Sequence, residues 1–177
     1  MNPLVAPRKL SRLRPHADIE IVEHVMRYEF QLFADYHQFY IQDEVAEGDL
    51  SEAWTPDAVE RRLALAPGVI GIGTVRNTDV PVIIDVLDHA PEEEFDASDQ
   101  VVECSISISS GVIVVAGCTD YFPEAARVQI LPGSYRVRAN FTGLDSVSED
   151  RFTGNDQYHL QLWRAPIADV TVHKKHA

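Results

Sequence analysis

The sequence predicts a mainly β protein: an antiparallel β-sandwich of about seven to eight strands with one or two short helices. Three observations carry this. Apolar and polar residues alternate cleanly over 101–108, 135–141 and 158–163, the period of a half-buried strand. Turn-forming clusters separate the runs at short intervals. One helical segment stands among them, without the strand–helix–strand rhythm of a parallel sheet.

Taken in order, residues 1–17 read as a basic tail punctuated by Pro3, Pro7 and Pro15, and 18–27 as a short helix on the spacing of Ile19, Val22 and Met26. Phe30 to Gln42 reads as one aromatic-rich strand, with Phe39 and Ile41 facing one way and Tyr36, Gln38 and Tyr40 the other. A helix is expected to follow. Thr55 is its N-cap, Pro56 and Asp57 favour its first turn, and Val59, Leu63 and Ala66 share a face. Pro67-Gly68 stops it. Val69–Arg76 and Val80–Leu87 are strands joined near Asn77-Thr78-Asp79. Val101–Ile108 closes through Ser109-Ser110-Gly111 into a hairpin with Val112–Gly117. Ala126–Leu131 and Tyr135–Phe141 form a second hairpin through Pro132-Gly133, with Arg136, Arg138 and Asn140 pointing outward. Tyr158, Leu160 and Leu162 alternate with His159, Gln161 and Trp163, and a weaker strand lies at Val170–Val172. Residues 18–172 thus make one β-rich domain, with 173–177 as a C-terminal tail.

Motifs for catalysis or cofactor binding are not met. Gly71 and Gly73 form G-x-G, but Arg76 stands where the third glycine belongs and no helix follows; glycines under close packing in a strand fit better. The seven histidines form no two-histidine zincin helix, and there is no Cys-x-x-Cys. Asp85, Asp88 and His89 read as a solvated loop at a strand end. Asp145, Glu149, Asp150 and Asp156 crowd one loop without the spacing of an EF-hand. Serines 105, 107, 109 and 110 lack a nucleophile elbow. In the expected hairpin, Cys104 and Cys118 are diagonal neighbours about 7–8 Å apart at Cβ. That is too far for a disulfide, which needs about 3.8 Å, so two free thiols are expected. No catalytic residue, metal or cofactor is assigned.

The charge is the informative feature. The chain has 177 residues and a net charge of −13, which argues against direct nucleic-acid binding. It has no apolar run long enough for a transmembrane helix, and a cytoplasmic protein is expected. Residues 43–60 hold seven acids (Asp43, Glu44, Glu47, Asp49, Glu52, Asp57, Glu60) and residues 85–103 hold eight, neither with a Lys or Arg. The remaining residues carry 13 acids against 15 bases, so the charge belongs to two segments. Such loops keep a β protein soluble, and they can also steer and seat a basic partner. The expected protein-binding residues are Asp43, Glu44, Glu47, Asp49, Glu52 and Trp54, then Glu92, Glu93 and Glu94.

Tyr36-His37-Gln38-Phe39, then Trp54-Thr55-x-x-Ala58, then Pro132-Gly133-Ser134-Tyr135, in that order, resemble the competence protein J family across roughly residues 30–165. The resemblance implies a small acidic β-rich protein that inhibits a DNA-entry nuclease, and hence a basic protein partner, without nucleic acid or membrane. This chain departs from the family in its basic N-terminal extension, the acidic insert around Glu92–Asp99 and the loop at 143–156. No inhibitory residues transfer with the resemblance. Two alternatives stand beside it. One is a small-ligand protein or enzyme using the polar sheet face (Arg136, Arg138, Asn140, His159, Gln161) with acids of the 143–156 loop. The other is a homo-oligomeric sandwich.

Overall fold

Strands β1 (Val25–Phe33), β5 (Asp79–Leu87), β6 (Gln100–Ile108), β9 (Gly133–Thr142), β10 (Gln157–Arg164) and β11 (Thr171–Lys174) form one sheet, in the order β1-β5-β10-β9-β6-β11. Strands β2 (Gln38–Asp43), β3 (Leu63–Ala66), β4 (Val69–Gly73), β7 (Val112–Gly117) and β8 (Ala126–Gln129) form the second, in the order β3-β4-β2-β7-β8. This computed structural model describes residues 25–177. The expected basic tail, and the expected helix up to residue 24, lie outside the described residues. Residues 25–27, placed at the end of that helix, begin β1 instead. Pairing is antiparallel except between β5 and β10.

The sandwich architecture is as predicted, and the inward faces are those that alternation assigned. Phe39 and Ile41 of β2 meet Cys104, Ile106, Tyr135, Val137, Phe141, Tyr158 and Leu160 in one core between the sheets. At its centre Tyr158 takes the edges or faces of Phe39 and Phe141, with ring centroids 5.9 and 5.8 Å apart, the T-shaped geometry that aromatic quadrupoles favour.

Sheet membership departs from expectation. The presumed Phe30–Gln42 strand breaks at Ala34–His37, and its halves belong to different sheets. The 74–78 turn carries the chain from β4 to β5 in the opposite sheet. Ser109-Ser110-Gly111 carries it from β6 to β7, and residues 130–132 carry it from β8 to β9. Neither expected hairpin is one. The physical reason is that a turn over the sandwich edge keeps both strands' apolar faces on the shared core, as a hairpin does. Cys104 and Cys118 are both free thiols, but for another reason. Cys104 opposes Val137, whereas Cys118 lies past β7, its Sγ donating to the Asp35 carbonyl at 3.1 Å.

The expected helix is also shorter. Helix α1 spans Pro56–Glu60, and Thr55 caps it by accepting from the Ala58 amide at 3.3 Å. Leu63–Ala66 becomes β3, turning through Pro67-Gly68 onto β4. A strand here buries both faces: Leu63 enters the main core and Ala64 a second cluster outside the sheet. Tertiary burial overrides the helix propensity of Leu-Ala-Leu-Ala. Val59, assigned to a buried helix face, is 58% exposed.

Asp43 fixes the third passage between sheets. Its carboxylate accepts from the Ser109 amide (2.7 Å) and hydroxyl (2.6 Å), and from the Ser110 amide (3.1 Å) and hydroxyl. Burial pushes this carboxyl up, but the serine hydrogen bonds outweigh burial and hold it at about 2. A depressed carboxyl contributes stability above its unfolded value of about 3.9, lost as pH falls towards 2. Asp43→Asn is therefore expected to destabilise the protein by about 1–3 kcal/mol near neutral pH. In urea unfolding followed across acid pH, the gap from wild type should narrow between about pH 4 and pH 2. A gap independent of pH would remove the carboxylate from this role.

Candidate protein-binding surface

The segment 44–60 lies as an apron over the outer face of the β3-β4-β2 sheet. A small cluster of Leu50, Ala58, Ala64 and Val69, with Tyr40, Ala53 and Trp54 packed against it, holds the apron down. Gly71 makes the close approach possible, since a Cβ there would meet Leu50 Cδ1 and Trp54 Cζ2 at 2.8 Å. The G-x-G pair is thus a packing feature. Because the anchors are apolar, the carboxylates of Glu47, Asp49, Glu52 and Asp57 remain at the surface. Asp49 also shapes the turn, accepting from the Ser51 amide at 2.8 Å and hydroxyl at 3.0 Å.

Two of the expected binding residues are placed otherwise. Asp43 is buried, and its oxygens are taken by Ser109 and Ser110. Glu44 pairs with Arg127 Nε at 2.8 Å. Trp54 is half-buried at the foot of α1.

The second acidic segment covers the outer face of the other sheet, so the two lie on opposite sides of the sandwich. The first comes round to the second sheet at its end, where Asp57 and Glu60 share a recess with Gln100 and Lys175. The Glu60 carbonyl accepts from Gln100 Nε2 at 3.2 Å and its carboxylate meets Lys175 at 3.0 Å. Glu92, Glu93 and Glu94 are exposed, but beneath them the loop is anchored. Arg138 Nη1 donates to the Glu92 carbonyl at 2.9 Å, and its guanidinium lies over Phe95 and Trp163 at 5.2 and 5.3 Å. Lys174 donates to the Phe95 carbonyl at 3.2 Å, and His173 stacks on Phe95 at 4.8 Å. Strand β11 therefore runs past residue 172, where a tail was expected to begin, and its end is part of this cover.

This cover changes the meaning of the polar sheet face. Glu103 bridges Arg136 (2.9 Å) and Arg138 (3.1 Å), and all three are buried. Burial pushes the Glu103 carboxyl up, but the two guanidinium groups outweigh burial and lower it overall. Arg136 and Arg138 are thereby committed to the protein. Alternation had pointed them outward correctly but could not show what lies above them. The open part of this face is a recess of about 410 Å³ beside Asp85. Asp85 accepts two hydrogen bonds from Arg27 at 2.8 Å and meets His159 Nε2 at 2.7 Å.

The acids of the 143–156 loop serve the fold. Asp156 is buried against Arg76 and the Tyr158 hydroxyl. Asp150 accepts from Ser148 Oγ and the Phe152 amide, and Asp145 lies 3.0 Å from His176. Among the described residues, no three His, Cys, Asp or Glu side chains are grouped to hold a metal ion. No described helix is long and apolar enough to cross a membrane.

Glu103→Gln leaves two buried guanidinium groups without their counter-charge. A loss of about 3–5 kcal/mol in urea unfolding is expected, with faster proteolysis in the 88–99 loop that Arg138 holds. A loss under about 1 kcal/mol would mean that the arginines find water.

No family model and no curated protein matches the chain by sequence. Solved structures do match. ComJ of Bacillus subtilis, described as an inhibitor of the DNA-degrading activity of NucA, superposes with a TM-score of 0.63 at 16% identity, over 80% of this chain and 99% of its own. The protein described as crocagin biosynthetic gene J superposes with a TM-score of 0.51 at 16% identity, over 82% of this chain and 100% of its own. The chain has a ComJ-like fold.

Proposed function

We propose that the chain is a binding protein rather than an enzyme: a ComJ-like inhibitor of a DNA-degrading nuclease, which it engages through the 44–60 apron. The observation that carries this reading is the apron itself. Glu47, Asp49, Glu52 and Asp57 lie exposed on a scaffold held by apolar anchors, with no Lys or Arg in the segment. A nuclease cleft is basic because it must hold phosphates. Carboxylates held on such a scaffold can stand where those phosphates would lie, and they raise the rate of encounter. The fold neighbour with a described activity inhibits such an enzyme. Glu92, Glu93 and Glu94 face the other way, so they add to the long-range field without joining the same contact.

The test replaces Glu47, Asp49 and Glu52 together by their amides and measures association with a purified NucA-type nuclease. All three are exposed, so the fold should be retained. The association rate is expected to fall about tenfold or more at low salt, and its salt dependence to flatten. Inhibition of DNA degradation should weaken in parallel. If the wild-type chain in molar excess leaves degradation unchanged at low salt, the nuclease reading fails. If the triple variant inhibits as well as wild type, the apron is not the contact surface.

A further inference from the structure

Beside Trp54, on the edge of the apron, a recess of about 370 Å³ opens between the first passage, α1 and the 143–156 loop. We propose that it binds a small anion carrying a flat ring, an aromatic carboxylate or phosphate. This inference is independent of the nuclease reading.

Three observations converge on this recess. The first is backbone conformation. The four non-glycine residues with positive φ among the described residues are Tyr36 (54°), His37 (58°), Arg62 (56°) and Arg151 (61°), and all four line it. Left-handed backbone is unfavourable for such side chains. Its concentration around one cavity is the pattern of a site that needs these side chains where they are.

The second is charge. Arg62 and Arg151 make no ion pair among the described residues, and no carboxylate lines this recess. Acids line the two adjoining recesses that share these arginines: Asp145 and Glu149 beside Arg62 and Arg151 in one, Asp57 and Glu60 beside Arg62 in the other. Burial chiefly, and the proximity of Arg151 to a lesser degree, disfavour the charge on Arg62 against an opposing effect of Tyr158. Neither guanidinium has an ion-pair partner within the recess, and the guanidinium fork matches a carboxylate or phosphate.

The third is unsatisfied polarity. Four buried polar atoms without a hydrogen-bond partner belong to residues of this lining: His37 Nδ1, Gln38 Oε1, Trp54 Nε1 and Arg62 Nε. Buried polar groups are nearly always paired, so four around one cavity point to an occupant or to a shift that one brings. Tyr36, 72% exposed at the rim, and the Trp54 wall offer aromatic faces for a ring to stack on. The volume suits a molecule of one or two rings.

The full chain is titrated with benzoate, indole-3-acetate and adenosine monophosphate, with inorganic phosphate as the ring-free control. The readout is the Trp54 indole ¹H–¹⁵N signal, identified by its absence in Trp54→Phe. At least one ring-bearing probe is expected to move it with sub-millimolar affinity, phosphate at least tenfold more weakly. Arg151→Ala, a change at an exposed loop position, should weaken binding tenfold or more. Arg62→Gly should also abolish binding while its unfolding midpoint is kept or raised, because glycine relieves the left-handed backbone. The proposal fails if no ring-bearing probe moves the signal at about 5 mM. It fails equally if phosphate binds as tightly as the ring-bearing probes, or if Arg151→Ala binds unchanged. The arginines and the triple-amide positions of the apron do not overlap, so the two readings fail separately.

Discussion

Asp43 ends β2 with its carboxylate turned inward, accepting four hydrogen bonds from Ser109 and Ser110. That clamp belongs to a larger constraint: the chain passes four times between the sheets, and each passage brings polar backbone to the edge of an apolar core. The passages satisfy it in pairs. Ala34 N donates to the Thr78 carbonyl at 3.0 Å, joining the first passage to the second. Ile130 N donates to the Gly111 carbonyl at 2.9 Å, joining the fourth to the third. Each pair also has a buried carboxylate. Asp43 serves one. Asp156 serves the other, receiving Arg76 and the Tyr158 hydroxyl, while that hydroxyl accepts from the Val75 amide at 2.9 Å. Tyr158 is at once the centre of the aromatic core and the tie to a passage, so packing and edge chemistry are one arrangement there.

Once the passages are fixed, each sheet has an outer face to cover, and the two faces differ. That of the β3-β4-β2 sheet presents Tyr40, Ala64, Val69 and Gly71, which only apolar groups can cover well. Leu50 and Trp54 do so, and the carboxylates of Glu47, Asp49, Glu52 and Asp57 around them stay at the surface. The face of the other sheet presents Glu103, Arg136 and Arg138, whose charges demand partners before burial is tolerable. For Arg138 the carbonyls of residues 91 and 92 and the rings of Phe95 and Trp163 provide them, and for Arg136 Ser105 Oγ and the carbonyls of residues 168 and 169 do. Similar acidic composition therefore has two physical meanings. One segment is a charged surface on an apolar anchor, and the other closes a charged network with its backbone.

Much of this was legible in the sequence. Alternation assigned the inward faces of β2, β6, β9 and β10 because one shared core imposes one period on them all. Thr55 announced the start of α1 through capping chemistry that needs no tertiary contact. Sheet membership was not legible, since Ser109-Ser110-Gly111 would serve a hairpin as well as a passage. Nor was the strand at 63–66, whose two-sided burial depends on the fold bringing Leu50, Trp54 and Ala58 over one face and the main core under the other. The inward turn of Asp43 was hidden for the same reason: its serine partners lie 66 and 67 residues downstream. Residues 36–38 and Trp54 with Val59, separate in sequence, meet around one recess, and Arg62 and Arg151 join them only through the fold.

The strain around that recess is held by the passages rather than scattered near them. His37 N donates to the Ala34 carbonyl at 3.0 Å and to Asn77 Oδ1 at 3.2 Å, and its carbonyl accepts from the Thr74 amide at 2.8 Å. The Arg62 carbonyl accepts from the Gly73 amide at 2.9 Å, locking the left-handed residue that follows α1. These bonds fix the backbone whatever side chain is attached, so glycine would satisfy the turn with less strain. The chain uses glycine in left-handed backbone at 68, 111 and 143, and at two of these a close approach also excludes a side chain: a Cβ would meet Ala46 Cβ at 2.8 Å at Gly68 and the Asn155 carbonyl oxygen at 2.4 Å at Gly143. At 36, 37, 62 and 151 it carries tyrosine, histidine and two arginines instead. At the second set the left-handed backbone carries full side chains, and those side chains surround one cavity.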